Sequence, residues 1–208
     1  ETGTLPERLF KQNEKIDKTT LAAAAEGKYA DEPSMITVNL AGYGIGDTQG
    51  NNLGLSLDSM PRLETLLLSE NRLTHRSMPQ IFRSLSHEYV RHIDISGNKL
   101  RGSKHAAVKA IAKYFTAPNV VQHLNMSNCC IDSEDIKILC SGFSSLLKQH
   151  IEEFIADSND IGHAGACVLA DYLSVLMTAE MDPKAYGNGT IGKPVSPLLR
   201  VSLAWNNI

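Results

Sequence analysis

Leu63-Glu64-Thr65-Leu66-Leu67-Leu68-Ser69-Glu70-Asn71-Arg72-Leu73 is the stretch that decides the fold. It carries leucine or asparagine at every fixed place of the pattern L-x-x-L-x-L-x-x-N-x-L, a short strand that leaves its sheet through a turn at the asparagine. Laid over the rest of the chain, the pattern returns at Val90, Ile93, Ile95, Asn98 and Leu100, and again at Val121, Leu124, Met126, Cys129 and Ile131. Further copies fall at Ile151, Phe154, Ala156, Asn159 and Ile161, and at Leu198, Val201, Leu203, Asn206 and Ile208. The first copy is Met35, Val38, Leu40, Tyr43 and Ile45, with tyrosine in the asparagine slot; in the fourth, cysteine takes that slot. The slots stand at 43, 71, 98, 129, 159 and 206, so the steps are 28, 27, 31, 30 and 47 residues.

Steps of that length hold a strand and a full helix. The helices show as apolar stripes at i, i+3, i+4 and i+7: Met78, Ile81, Phe82 and Leu85; Val108, Ile111, Ala112 and Phe115; Ile136, Leu139, Cys140 and Phe143; Ala166, Leu169, Ala170 and Leu173. In the strands, alternation sends Leu66 and Leu68 to one face and Thr65, Leu67 and Ser69 to the other. The reading predicts strands at 37–40, 65–68, 92–95, 123–126, 153–156 and 200–203 in one parallel sheet, the first five each followed by a helix.

Composition narrows the function classes. A formal net charge of −3 over 208 residues leaves no basic footprint for nucleic acid. The most apolar stretch, Ala164 to Met181, is interrupted by Asp171 and has helical periodicity, so it reads as a buried helix face and not a membrane span. The four cysteines, Cys129, Cys130, Cys140 and Cys167, match no zinc spacing. Cys140 and Cys167 fall on the apolar helix stripes, as small hydrophobes. Free thiols in a reducing, cytoplasmic setting are expected. The sequons at Asn125 and Asn188 argue little for secretion, because Asn125 lies inside a strand.

From Met35 to Ile208 the pattern resembles the leucine-rich repeats of the ribonuclease-inhibitor type. The resemblance implies an α/β leucine-rich-repeat solenoid of about six repeats, with a curved parallel sheet on the concave face and helices outside. Residues 5–33 lack the pattern and are expected to form an N-terminal helical cap. The array is expected to occupy 34–208, with a Gly- and Pro-rich insert loop at about 182–197. No C-terminal cap follows the sixth strand, so a longer native chain is expected, with self-association possible through that uncapped edge.

Such surfaces bind other proteins, and the resemblance implies a non-catalytic interaction scaffold that holds a protein partner through the concave face and the inserted loop, without cofactor, metal or membrane insertion. The concave-face columns supply the candidate residues: Thr65, His92, His123, Glu153 and Arg200 in one, Leu67, Asp94, Asn125 and Ile155 in the next, then Asp157, with Trp205 at the rim. His92, His123 and Asp94 also raise a metal or pH-sensitive site, with Glu153 the nearest further ligand, but solvated histidines on a polar face account for them. Leu67 and Ile155 stand as apolar anchors, and Trp205, the sole tryptophan, either as a contact residue or as a side chain that packs on a seventh repeat. Gly42-Tyr43-Gly44-Ile45-Gly46 follows a strand where a turn is needed, so it reads as a turn and not a phosphate loop. Three narrower resemblances stand beside this one. Residues 95–102 and 117–124 look like repeats of the CARMIL actin-regulatory scaffolds, and residues 159–166 like the sensor repeats of immune receptors. Ran-activating members of the repeat family use an arginine on a repeat loop for GTPase activation, and Arg72, Arg76 and Arg101 lie on loops or helix starts of that kind, with no motif singling out one of them.

Overall fold

Alternation along each strand buries one face and leaves the other open. In the computed structural model, which describes residues 35–144, 151–180 and 200–208, Leu66 and Leu68 are fully buried while Thr65 and Leu67 are half-exposed. The same holds for Ile93 and Ile95 against His92 and Asp94, and for Leu124 and Met126 against His123 and Asn125. Among the described residues the strands are β1 (Ile36–Asn39), β2 (Leu63–Leu67), β3 (His92–Asp94), β4 (His123–Asn125), β5 (Glu153–Ile155) and β6 (Arg200–Ser202). They form one six-stranded sheet in chain order, and every neighbouring pair is parallel. Parallel neighbours require crossovers. Among the described residues these contain α1 (Gly46–Leu57), α2 (Met78–Ser84), α3 (Ala106–Phe115), α4 (Ser133–Ser144) and α5 (His163–Glu180), and each helix packs against the next. The chain is therefore an α/β protein with a parallel sheet, its strands within a residue or two of the expected positions. Among the described residues, no helix is long and apolar enough to cross a membrane. The expected cap at 5–33 and the insert at 182–197 lie outside the described residues.

The core fills the space between the sheet and the helices. Stripes Met78–Ile81–Phe82–Leu85, Val108–Ile111–Ala112–Phe115 and Ile136–Leu139–Cys140–Phe143 are all buried. Phe115 and Phe143 meet edge-on at 5.0 Å, and Phe143 and Phe154 at 5.8 Å, so helix and strand aromatics interlock. The fourth stripe needs correction. Up to Val175, where burial in α5 is described, the buried residues are Gly165, Leu169 and Tyr172, whereas Ala170 is exposed and Ala166 and Leu173 are half-exposed. Cys167 is exposed too, and not on an apolar face; its Sγ lies 3.5 Å from His163 Nε2. Alanine and cysteine tolerate either side of a helix, so bulk, here Tyr172, decided the rotation.

Beyond each strand the backbone passes through a left-handed residue, Gly42, Glu70, Gly97, Asn128, Ser158 or Trp205, just before the asparagine slot. Gly44, Arg72 and Cys130 add a second such position just after it in the first, second and fourth turns. Glycine takes that conformation at no steric cost, which explains Gly42 and Gly97. The next residue is the asparagine slot, and there the turns are joined. Asn71 Nδ2 donates to Leu40 O at 2.7 Å, Asn98 Nδ2 to Leu68 O at 2.9 Å, Asn159 Nδ2 to Met126 O at 3.0 Å and Asn206 Nδ2 to Ala156 O at 2.9 Å. In return, amides of the preceding turn donate to the side-chain oxygens, for example Leu73 N to Asn98 Oδ1 at 2.9 Å and Cys129 N to Asn159 Oδ1 at 2.9 Å. Cys129 keeps half of this role. Its thiol donates to Ile95 O at 3.2 Å, and burial pushes its pKa up to about 12, so it stays protonated and able to donate. Tyr43 does not enter the ladder slot as a buried group; it is 44% exposed.

A second tie joins the helix starts. Asp47, in the first turn of α1, accepts from Thr74 N at 2.8 Å, Thr74 Oγ1 at 2.7 Å and Ser77 Oγ at 2.7 Å. Burial raises its pKa, but those hydrogen bonds together outweigh it and hold the carboxyl below its ordinary 3.8. A lowered carboxyl pKa contributes stability that is complete above the unfolded value and is lost as pH falls through the folded one. The urea midpoint of Asp47→Asn should thus lie below that of the wild type at neutral pH, and the gap should close as pH drops below about 4. A gap that stays constant into acid would mean that the carboxylate's charge adds nothing to the tie.

Candidate functional site: the open face of the sheet

Register assembles the open face into rows. Thr65, His92, His123, Glu153 and Arg200 are successive partners across β2 to β6, and Leu67, Asp94, Asn125, Ile155 and Ser202 form the adjoining row. The expected columns are therefore real neighbours. Leu67 and Ile155 are half-buried between polar neighbours and two strands lie between them, so they do not make one exposed apolar anchor.

Within the first row the histidines stack. Their ring centroids are 4.5 Å apart and the planes differ by 10°. His123 Nδ1 lies 3.2 Å from Glu153 Oε2, and Arg200 Nη1 donates to Glu153 Oε1 at 2.6 Å. The row thus runs imidazole, imidazole, carboxylate, guanidinium. Partial burial, then the neighbouring His123 and Arg91, hold the His92 pKa below its ordinary 6.5 against the pull of Glu64 and Glu152. His92 is therefore neutral at neutral pH.

Asp94 does not join them. Its Oδ1 accepts from Ser96 N at 2.9 Å, fixing the turn beyond β3, and the suggested cluster of two histidines and Asp94 is not assembled. Asn125 turns the same way, accepting from Ser127 N at 3.0 Å and Ser127 Oγ at 2.8 Å. Asp157 reaches across to β6, where Ser202 Oγ and Ala204 N both donate to its Oδ1 at 2.7 Å. Trp205 occupies a left-handed turn position (φ 58°) and is 87% exposed at the rim.

The metal-capable triad among the described residues lies elsewhere, at the starts of α3 and α4: His105, Asp132 and Asp135, which the sequence reading did not single out. His105 Nδ1 and Asp135 Oδ1 are 2.6 Å apart, the spacing of a hydrogen bond and shorter than that of two ligands flanking an ion. Asp135 Oδ2 accepts from Asp132 N at 3.0 Å, and Asp132 Oδ1 accepts from Glu134 N at 3.0 Å and Asp135 N at 3.1 Å. Burial raises the Asp135 pKa against the lowering effect of His105. The group is a tie between helix starts, like Asp47. Arg101 belongs to the same edge, donating to Asp132 Oδ2 at 3.3 Å and Asp160 Oδ2 at 3.1 Å, while Arg72 and Arg76 are exposed. All four cysteines are free thiols. In comparison with known proteins, the chain matches no family model and no curated protein.

Proposed function

We propose that the chain is a leucine-rich-repeat solenoid of the ribonuclease-inhibitor type, and that its open sheet face holds a protein partner without catalysing a reaction. The observation that carries this reading is the amide ladder. Asn71, Asn98, Asn159 and Asn206 bond each turn to the one before it through the same atoms, with the Cys129 thiol standing in once. A repeating tie of this kind makes a long, stiff platform, and stiffness lowers the ordering cost of binding. The side chains of the open face are partly exposed but already positioned: Asp94 and Asn125 by their own turns, Glu153 by Arg200 and His123. Free thiols, with Cys129 used as a donor inside the ladder, support an intracellular, reducing location.

The test is a comparison of faces. Thr65→Arg with Asn125→Arg adds bulk to the open face; Lys109→Glu with Lys137→Glu alters exposed positions on α3 and α4. Proteins retained by the wild type and by the helix variant, and lost by the open-face variant, are the expected result. Partners lost only by the helix variant would move the interaction surface off the sheet.

A further inference from the structure

Register puts His92 and His123 side by side on β3 and β4, and both side chains are half-exposed. Their rings lie 4.5 Å apart and within 10° of parallel. One of the four ring nitrogens already has a partner. Glu153 receives the Arg200 guanidinium on Oε1 at 2.6 Å and faces His123 Nδ1 with Oε2 at 3.2 Å. A carboxylate so paired only accepts, so the proton of the neutral His123 ring sits on Nδ1 and the lone pair is left on Nε2. A carboxylate on the far nitrogen is the arrangement that orients metal-binding imidazoles, fixing the tautomer and strengthening the ring as a ligand. The His92 ring has no hydrogen bond among the described residues, so either of its nitrogens is available.

We propose that His92 and His123 together chelate one divalent transition-metal ion of the nickel, copper and zinc class, with Glu153 as the orienting carboxylate. The distances permit this without backbone movement. Nitrogens about 2.0–2.1 Å from a shared ion stand at most about 4 Å from each other, and the two rings start 4.5 Å apart. Rotation about the Cβ–Cγ bond of a histidine is soft, so each ring can leave the stack and turn one nitrogen onto the ion. Nitrogen donors select these metals over magnesium and calcium, which require oxygen ligands. The surroundings favour a cation. Glu64, Glu152 and Glu153 lie around the pair against Arg91 and Arg200, and each guanidinium is already held by one of those carboxylates. Asp94 takes no part, because its Oδ1 accepts from the Ser96 amide. Two protein ligands leave water-filled positions on the ion, where a donor on a segment lying over the face can complete the shell.

The experiment titrates the full chain with nickel(II) by calorimetry at neutral pH and follows the imidazole proton signals by NMR. The protein is used as wild type, His92→Gln, His123→Gln and Glu153→Gln. His105→Gln reports on the helix-start group, and matching thermal melts check that each fold is kept. The tightest nickel ion should broaden the His92 and His123 signals before any others. His92→Gln and His123→Gln should each weaken it about tenfold or more, because one imidazole in place of two forfeits the chelate. Glu153→Gln should weaken it by a smaller factor, His105→Gln should leave it unchanged, and millimolar magnesium should not displace it. Absence of binding at millimolar nickel, an affinity unmoved by either histidine substitution, or displacement by magnesium would each overturn the chelate. Loss of the tightest ion in His105→Gln but not in His92→Gln would place it at the helix starts and overturn the proposal equally. An affinity unmoved by Glu153→Gln would overturn the orienting role of that carboxylate.

Discussion

Asn98→Ala is expected to destabilise the protein by about 3 kcal/mol in urea unfolding, the upper end for groups left unpaired in a closed site. Asn98 is completely buried. Its Nδ2 donates to Leu68 O at 2.9 Å and Ile95 O at 2.8 Å, and its Oδ1 accepts from Asn71 N at 3.1 Å and Leu73 N at 2.9 Å. Alanine removes all of these at once and leaves two amides and a carbonyl of the preceding turn without their partner. Each such group costs about 1–3 kcal/mol when buried and unpaired, and some relaxation or entry of water offsets part of the total. Asn52→Ala is the control. Asn52 is exposed on α1, where alanine is the better helix former, so its effect should stay within about 0.5 kcal/mol. Equal urea midpoints for the two variants would contradict a ladder that carries stability. Because Asn98 receives the amide of Asn71, the pair Asn71→Ala and Asn98→Ala should also be less than additive.

The ladder could be read in the sequence because it is a property of spacing. A fixed interval from Leu66 and Leu68 to Asn71 returns as the interval from Ile93 and Ile95 to Asn98, and register then follows from aligning the slots. For the same reason the rows of the open face, including the His92–His123 neighbours, are legible in the sequence. What spacing does not encode is where a short polar side chain turns. Asp94 lies one row from the histidines and still bonds to its own turn, since an amide two residues away is nearer than any imidazole. The link from Asp157 to Ser202 and Ala204 spans the irregular step of 47, where no period guides the eye. His105 and Asp135 sit thirty positions apart in different turns, and only the packing of one helix start on the next brings them together. In α5 the alanine-rich stripe misled, because Ala166 and Ala170 have too little bulk to fix the rotation that Tyr172 sets.

Gly142→Ala should be the second strongly destabilising change, although alanine is the better helix former. Gly142 is buried in α4 at its crossing with α3. A Cβ placed on it would stand 2.5 Å from Ala112 O and 2.8 Å from Ala112 Cα. Those are backbone atoms of a neighbouring helix, so no side chain can swing aside to make room. The two helices would have to separate, and with them Phe115 and Phe143, whose rings meet across the same interface at 5.0 Å. The gain in helix propensity is about 1 kcal/mol, whereas overpacking of a closed core costs about 1–3 kcal/mol and more when backbone must move. The second term wins, with a net loss of about 2 kcal/mol expected in urea unfolding. Ser141→Ala, on the exposed side of the same turn, tests propensity without the clash and should leave the midpoint within about 0.5 kcal/mol. If Gly142→Ala were as stable as Ser141→Ala, α3 and α4 would not approach closely at this point.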